Sequence, residues 1–467
     1  MQYWRSLDEL AQTPEFMAAG QREFPNDEWD RLPPATRRQF LKVMGASLAF
    51  AGLTSCRWPK EEIVPFASRP DGRVPGVPEQ YATAIEIGGA ALGLLVTSVD
   101  GRPIKNEGNP LHPDSLGALP ATAQADILQL YDPDRSQRLV YRQSGQEFVK
   151  SWDDFAAWTQ ENIARNGAGV AVLAEPSSSP SMARLRTRFD EAMPDAAWVE
   201  YQPISRDSER AGTAIAYGRP LRVHAHLDHA RVIACFDADP FFDHPAAIPM
   251  SRQFTEARQP SKEGICRLWV AEPAFTITGG RADHRRAVAG SGVPKLLAML
   301  ARELVAIHGL ALSEEAANLE PAFGSVSADG DTFVTELAAD LMAHRGAGVI
   351  LVGPGQAPEV HALAAVLNDA LGAVGTTLSY TDSSDPERPS HMQAIVDLAS
   401  SMRSGAIETL LIIGGNPVYD APVDLDWPTL QKSVGTVIRY GYYVDVTSEV
   451  ASHHVGATHF LESWSDA

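Results

Sequence analysis

Apolar and polar positions follow two different periods along this chain, and the change between them divides it. From Tyr81 apolar residues tend to recur at alternate positions. Ala84 to Ile87 and Leu94 to Val99 read as strands with Gly88-Gly89 between them, Asp100-Gly101 supplies a tight turn, and a third short strand starts at Ile104. After Ser151 the pattern becomes short continuous apolar runs, each bounded by turn residues and spaced by helical segments. Gly169 to Ala174, Ala197 to Tyr201, Val232 to Phe236, Leu268 to Ala271, Val349 to Val352, Leu410 to Ile413 and Val437 to Tyr440 read as strands. Ser181 to Met193, Lys295 to Ile307 and Val360 to Leu371 read as helices. Strands alternating with helices imply βαβ units, so the expected fold class is α/β: doubly wound parallel sheets with a small β region before them. The expected divisions are an N-terminal docking extension (1–35), an address segment (36–56), a proline-rich linker (57–80), a small β-rich region (81–150) and α/β domains (151–467).

The address segment is read from Thr36-Arg37-Arg38-Gln39-Phe40-Leu41-Lys42, the form of a twin-arginine export signal. The apolar stretch from Val43 to Leu53 is about half the roughly 20 residues a membrane span needs. It suits the apolar region of a signal peptide. Leu53-Thr54-Ser55-Cys56 follows with the look of a lipobox, in which Cys56 is acylated. The expected location is therefore the periplasm or the outer face of the cytoplasmic membrane, with the chain held at the membrane. Residues 1–35, with Trp4, Leu7, Phe16 and Trp29 among acidic residues, are unlike a short basic leader and read as a docking segment.

Composition narrows the function. A formal charge of −20 argues against nucleic acid as a partner, because phosphate binding needs clustered Lys and Arg. Three cysteines, Cys56, Cys235 and Cys266, stand in unrelated contexts with no CxxC pair, and a [4Fe–4S] cluster normally takes four thiolates. Cys235, inside an apolar run, reads as a core thiol. Gly353-Pro354-Gly355 and Gly414-Gly415-Asn416-Pro417 end two of the strands, where a parallel sheet receives ligands and glycine lets backbone N–H groups approach a phosphate. Ordinary turn glycine is the other reading of each loop.

Three stretches together resemble the molybdopterin oxidoreductase superfamily: Gly101 to Pro113, containing Asn109-Pro110-Leu111-His112-Pro113, with Leu130 to Arg135 after it; Ile412 to Pro417; and His459 to Trp464. Tyr3-Trp4-Arg5-Ser6-Leu7, the late twin-arginine motif and Ile63-Val64-Pro65-Phe66 add a narrower resemblance, to alternative complex III, a bacterial quinol:electron-acceptor oxidoreductase. The large subunit of that complex joins a molybdopterin-like region to a ferredoxin-like region carrying iron–sulfur clusters, and this chain resembles the first of the two. The resemblance implies a non-catalytic scaffold with vestigial pterin-site loops at Gly353, Gly355, Gly414, Gly415 and Asn416. It implies no molybdopterin and no 4Fe–4S cluster in this chain. The implied partners are the cluster-bearing remainder of that large subunit and the membrane and cytochrome c subunits of a respiratory complex. The alternative is a molybdopterin-dependent oxidoreductase whose metal has non-cysteine ligands.

The departures favour the scaffold. Tyr81 to Val99, where relatives hold a cluster, has no cysteine, and Ser205 and Asp207 are left without a ligand role. The chain stops in mid-pattern, so either a second polypeptide completes it or it is a piece of a longer one. His453, His454 and His459 read as polar loop residues, His112 as a structural turn residue, and Arg281 to Arg286 as a salt-bridged surface.

Overall fold

The computed structural model describes residues 11, 13, 14, 72 and 74–467, apart from 260–263, 314–325, 327–329 and 384. Arg37, Arg38 and Cys56, all but three residues of the docking extension, and residues 57–71 and 73 of the linker lie outside the described residues. The chain divides into two units, Met1–Asp71 and Gly72–Ala467, and every element named here belongs to the second.

Along the chain, β1 (Glu79–Ile87), β2 (Ala90–Val99) and β3 (Arg102–Gly108) precede a hairpin of β4 (Leu139–Gln143) and β5 (Gln146–Lys150). Next come helix α1 (Trp152–Asn162), β6 (Val170–Ala174), α2 (Pro180–Ala192), β7 (Ala197–Glu200), α3 (Asp207–Tyr217), β8 (Leu221–Ala225) and β9 (Val232–Phe236). They lead to α4 (Ala247–Ala257), β10 (Arg267–Glu272), β11 (His284–Ala287), α5 (Val293–Arg302), α6 (Thr332–Ala343), β12 (Gly348–Val352) and α7 (Pro358–Ala370). The last part holds β13 (Leu378–Asp382), α8 (His391–Arg403), β14 (Thr409–Ile413), α9 (Trp427–Ser433), β15 (Thr436–Gly441) and β16 (His453–Gly456).

Strands β1 to β3 form an antiparallel meander, and its core of Ile85, Leu92, Leu94 and Val96 is what the alternating pattern buries. A seven-stranded sheet runs β5-β4-β16-β15-β14-β6-β7. Its last five strands are parallel and the hairpin adds antiparallel through β16. A second sheet, β11-β10-β9-β12, is wholly parallel. Its strands β9, β10 and β12 read as continuous apolar runs because helices cover both faces. Phe236, Leu297, Leu337 and Leu367 pack on one face, and Ile233, Cys235, Leu268 and Phe254 on the other. The pair β8–β13 forms a separate ribbon.

The architecture is the expected α/β one with parallel sheets. The residues grouped as 81–150 divide in the structure. The meander keeps to its own sheet, whereas the hairpin ending at Lys150 belongs to the seven-stranded sheet through the pairs Tyr141↔His453 and Val140↔His454. The helix expected over 295–307 is α-helical to Arg302 and ends in a π-type turn, Glu303–Ile307.

Candidate functional site

Loops at the carboxyl ends of the two parallel sheets hold the glycines singled out from the sequence. At the first βα turn of the large sheet, β6 runs into Glu175-Pro176-Ser177-Ser178-Ser179 and α2. Ser179 caps that helix, its Oγ accepting from Met182 N, and Pro180 pre-sets the first turn. Such a helix start attracts anions through its free N–H groups. Carboxylates of this chain take that place. Glu86, near the end of β1, accepts from Ser177 Oγ at 2.8 Å and from Ser178 N. Asp466 accepts from Ser181 N at 3.1 Å, from Ser181 Oγ at 2.7 Å and from Ser179 Oγ. The Ser179 and Ser181 bonds hold the Asp466 carboxyl below its usual range.

The Gly414-Gly415-Asn416 loop follows β14. Both glycines have φ near +65, a conformation that glycine takes without strain. Arg439, buried on β15, donates to Gly414 O at 2.9 Å, to Gly415 O at 2.5 Å and to Asp445 Oδ2 at 2.8 Å. Asn416 Oδ1 accepts from Thr447 Oγ1, whose own backbone carbonyl accepts from Gln431 Nε2. The carboxylate of Glu175 stands where a Cβ on Gly414 would be, 2.3 Å from that position.

At the end of β12, a Cβ on Gly353 would meet Asp237 O at 1.7 Å, so this glycine serves close packing of two strand ends. Gly355 faces open space. Gln356 Nε2 donates to Asp237 Oδ2 at 2.7 Å, and Asp239 Oδ1 accepts from Thr278 N at 3.1 Å. The buried Glu272 accepts from Arg285 Nε at 2.5 Å and from Thr276 Oγ1. A cavity of about 60 Å³ beneath the Gly353 loop is lined by Arg206, Asp239, His244, His361 and Tyr380 among others.

The remaining sequence candidates have structural partners. Asp283 pairs with Arg258, Arg285 with Glu272 and Arg286 with Asp331, as a salt-bridged segment requires, although the segment also forms β11. Asp207 pairs with Arg388 and accepts from His391 N, while Ser205 Oγ accepts from Asp207 N. His112 packs on Gly93, where a Cβ would lie 2.3 Å from its ring. Cys235 and Cys266 are buried in one core cluster, and burial pushes both thiols up, Cys266 to about 12. Among the described residues no group of three or more His, Cys, Asp or Glu is arranged to hold a metal ion, and no helix is long and apolar enough to cross a membrane.

Two of the three late histidines are strand residues, and the third, His459, lies in the loop that follows the strand. His453 and His454 lie on β16 and all three are buried. His453 packs against Trp158 and Tyr141 at ring separations of 4.3 and 4.7 Å. His454 bridges Ser448 and Ser136, each at 2.6 Å, and His459 meets Asp126 at 3.0 Å. Burial holds His453 and His454 down to about 4, against about 6.5 in an unfolded chain. A histidine lowered on folding contributes stability that is complete above about pH 6.5 and is lost as the pH falls toward about 4. The thermal midpoint is therefore expected to drop across that window, and His453→Phe, which removes a titrating ring but keeps the packing, is expected to flatten the drop. Unfolding followed by circular dichroism at stepped pH checks this, and an identical slope in the variant would count against it.

Glu86, Asp466 and Arg439 were not among the residues singled out by sequence. The only local signal was Ser179-Pro180 as a helix start, since the partners that fill it come from distant segments.

No family model matches the chain. A curated relative, the menaquinone reductase, molybdopterin-binding-like subunit of Nitratidesulfovibrio vulgaris (strain Hildenborough), is 30% identical over 144 residues. The match takes in 29% of this chain and 21% of that protein, so the chain matches about a fifth of the relative's length. Among solved structures, acetylene hydratase from Pelobacter acetylenicus superposes with a TM-score of 0.56 at 10% identity, covering 80% of this chain and 60% of that one.

Proposed function

We infer, for a chain that is related to the molybdopterin oxidoreductases and has their fold, that it is a scaffold component of a membrane-associated respiratory quinone oxidoreductase and performs no chemistry of its own. The observation that carries this reading is the occupation of the α2 helix start by Glu86 and Asp466. A pterin nucleotide would bring phosphates to such a turn, and two internal carboxylates already hold its donors. The Gly414-Gly415 loop supports the same reading, because its carbonyls are tied to Arg439 and the carboxylate of Glu175 repels an incoming anion. An iron–sulfur cluster takes thiolates, and the two described cysteines are core thiols whose ionisation burial opposes. The described residues do not fit either group.

The finer reading is the molybdopterin-like half of the large subunit of an alternative complex III. Electrons would pass through cluster-bearing partner regions to cytochrome c subunits. Export through the twin-arginine route at Arg37-Arg38 and lipidation at Cys56 would place the chain at the outer face of the cytoplasmic membrane. These proposals rest on the sequence motifs.

Metal and pterin analysis of the full chain, purified from its native membrane with its complex and then separated, tests the central claim. Less than about a tenth of an equivalent of molybdenum, tungsten or pterin is expected in this polypeptide. A stoichiometric content of metal with pterin would overturn the scaffold reading in favour of non-cysteine ligation.

A further inference from the structure

We infer that the rim formed by the loops after β14, β6 and β7 docks a positively charged protein surface that carries apolar side chains. The inference rests on the scaffold reading and names the kind of partner held there. The three strands are neighbours in the large sheet, in the order β14-β6-β7, so their carboxyl-end loops adjoin. Tyr201, just after β7, donates its hydroxyl to Asp420 O at 2.7 Å and ties the outer two loops together across the middle strand.

Two features of this rim point the same way. The first is apolar exposure. Ile204, Tyr419 and Val423 are 81%, 82% and 89% exposed. Aromatic and aliphatic side chains held out on short ordered loops are the material of interface cores. The second is charge. Residues 175–179, 201–205 and 414–426 contain Glu175, Asp420, Asp424 and Asp426 and no Lys or Arg. Three arginines that border the rim are engaged internally: Arg439 with the loop carbonyls and Asp445, Arg206 with Glu209, and Arg403 with Leu425 O at 2.9 Å.

Complementarity selects the occupant. An anionic nucleotide or an anionic lipid surface meets uncompensated carboxylates. A small cation gains nothing from Ile204, Tyr419 and Val423. A basic protein surface with apolar anchors satisfies both features at once, the anchors being desolvated against the three side chains while Lys or Arg at the edge faces the carboxylates.

The test uses the full chain and three probes measured by titration calorimetry: a synthetic amphipathic peptide of alternating leucine and lysine, polylysine of equal charge, and inorganic pyrophosphate. The leucine–lysine peptide is expected to bind. Val423→Asp and Asp424→Lys are each expected to weaken it by at least about ten-fold. The control Asp190→Lys/Glu191→Lys, on α2, changes the net charge more and is expected to stay within roughly two-fold. Equal losses in rim and control variants, or polylysine binding as tightly as the peptide, would show general attraction to an acidic chain and overturn the proposal. Unchanged binding in the rim variants would overturn it too. Pyrophosphate binding would count against the scaffold reading alone, so the two failures are told apart.

Discussion

Gly353→Ala is expected to cost about 3 kcal/mol or more of unfolding free energy. The added Cβ would stand 1.7 Å from Asp237 O, 2.5 Å from Asp237 C and 3.2 Å from Ala238 N. These are backbone atoms at the end of β9, not a side chain that can swing aside. Asp237 itself sits at φ +57, and Gly353 N donates to Phe236 O at 2.9 Å, so both partners of the clash are held. Relief requires β9 and β12 to part at their carboxyl ends, directly above the core packed around Phe236, Val352 and Leu363. Gly355→Ala, two residues on, meets nothing within 4 Å and is expected to change stability by less than about 1 kcal/mol. Urea unfolding of the two variants makes the comparison. A Gly353→Ala protein as stable as the Gly355→Ala protein would contradict the close approach of the strand ends.

Arg439→Met is expected to lose about 3 kcal/mol. The guanidinium is buried and spreads its donors over Gly414 O, Gly415 O, Tyr440 O and Asp445. Gly441 gives it room, since a Cβ there would come within 2.8 Å of the guanidinium carbon. Methionine fills much of the volume but leaves two loop carbonyls and the mostly buried Asp445 carboxylate without their partner, and an orphaned charge costs more than the pair returns. Arg439→Lys keeps the charge but lacks the planar fork, so an intermediate loss is expected. Hydrogen exchange should separate this from a general weakening: amides of the short helix after Asn416 lose protection first. Uniform loss of protection across both sheets would argue against a local clamp.

These two residues mark how much was legible in the sequence. The continuous apolar runs announced β6, β9, β12, β14 and β15 because a strand covered on both faces has no polar side to hide. The glycines after β12 and β14 were legible as special backbone, but their purpose was not. Gly353 exists for a carbonyl 116 residues earlier and Gly414 for a carboxylate 239 residues earlier, and neither partner is marked locally. Strand β11 was obscured by its own composition, His284-Arg285-Arg286-Ala287, an edge strand whose arginines pair with the buried Glu272 and with Asp331. Strand β16 was hidden in the same way: a histidine pair reads as polar until Ser136, 318 residues away, is seen to satisfy it. Net charge does not say where its carboxylates sit, yet Glu86 and Asp466 take the donors at the start of α2.

The large sheet is assembled from two distant stretches, residues 139–200 and 409–456. Val170 of β6 pairs with Thr409 of β14, and Val140 of β4 pairs with His454 of β16, while the four-stranded sheet is threaded between as an insertion. A ribosome therefore delivers the insertion whole before its host can close. The inserted sheet has all its strands within residues 232–352 and can fold as it emerges. Strands β6 and β7 must wait, edges open, through more than two hundred further residues for β14. Closure across that separation is slow, and the waiting strands are exposed to wrong partners in the meantime. The β4–β5 hairpin docks on β16, the last of the sheet's strands in chain order, so the sheet cannot close before β16 has been made.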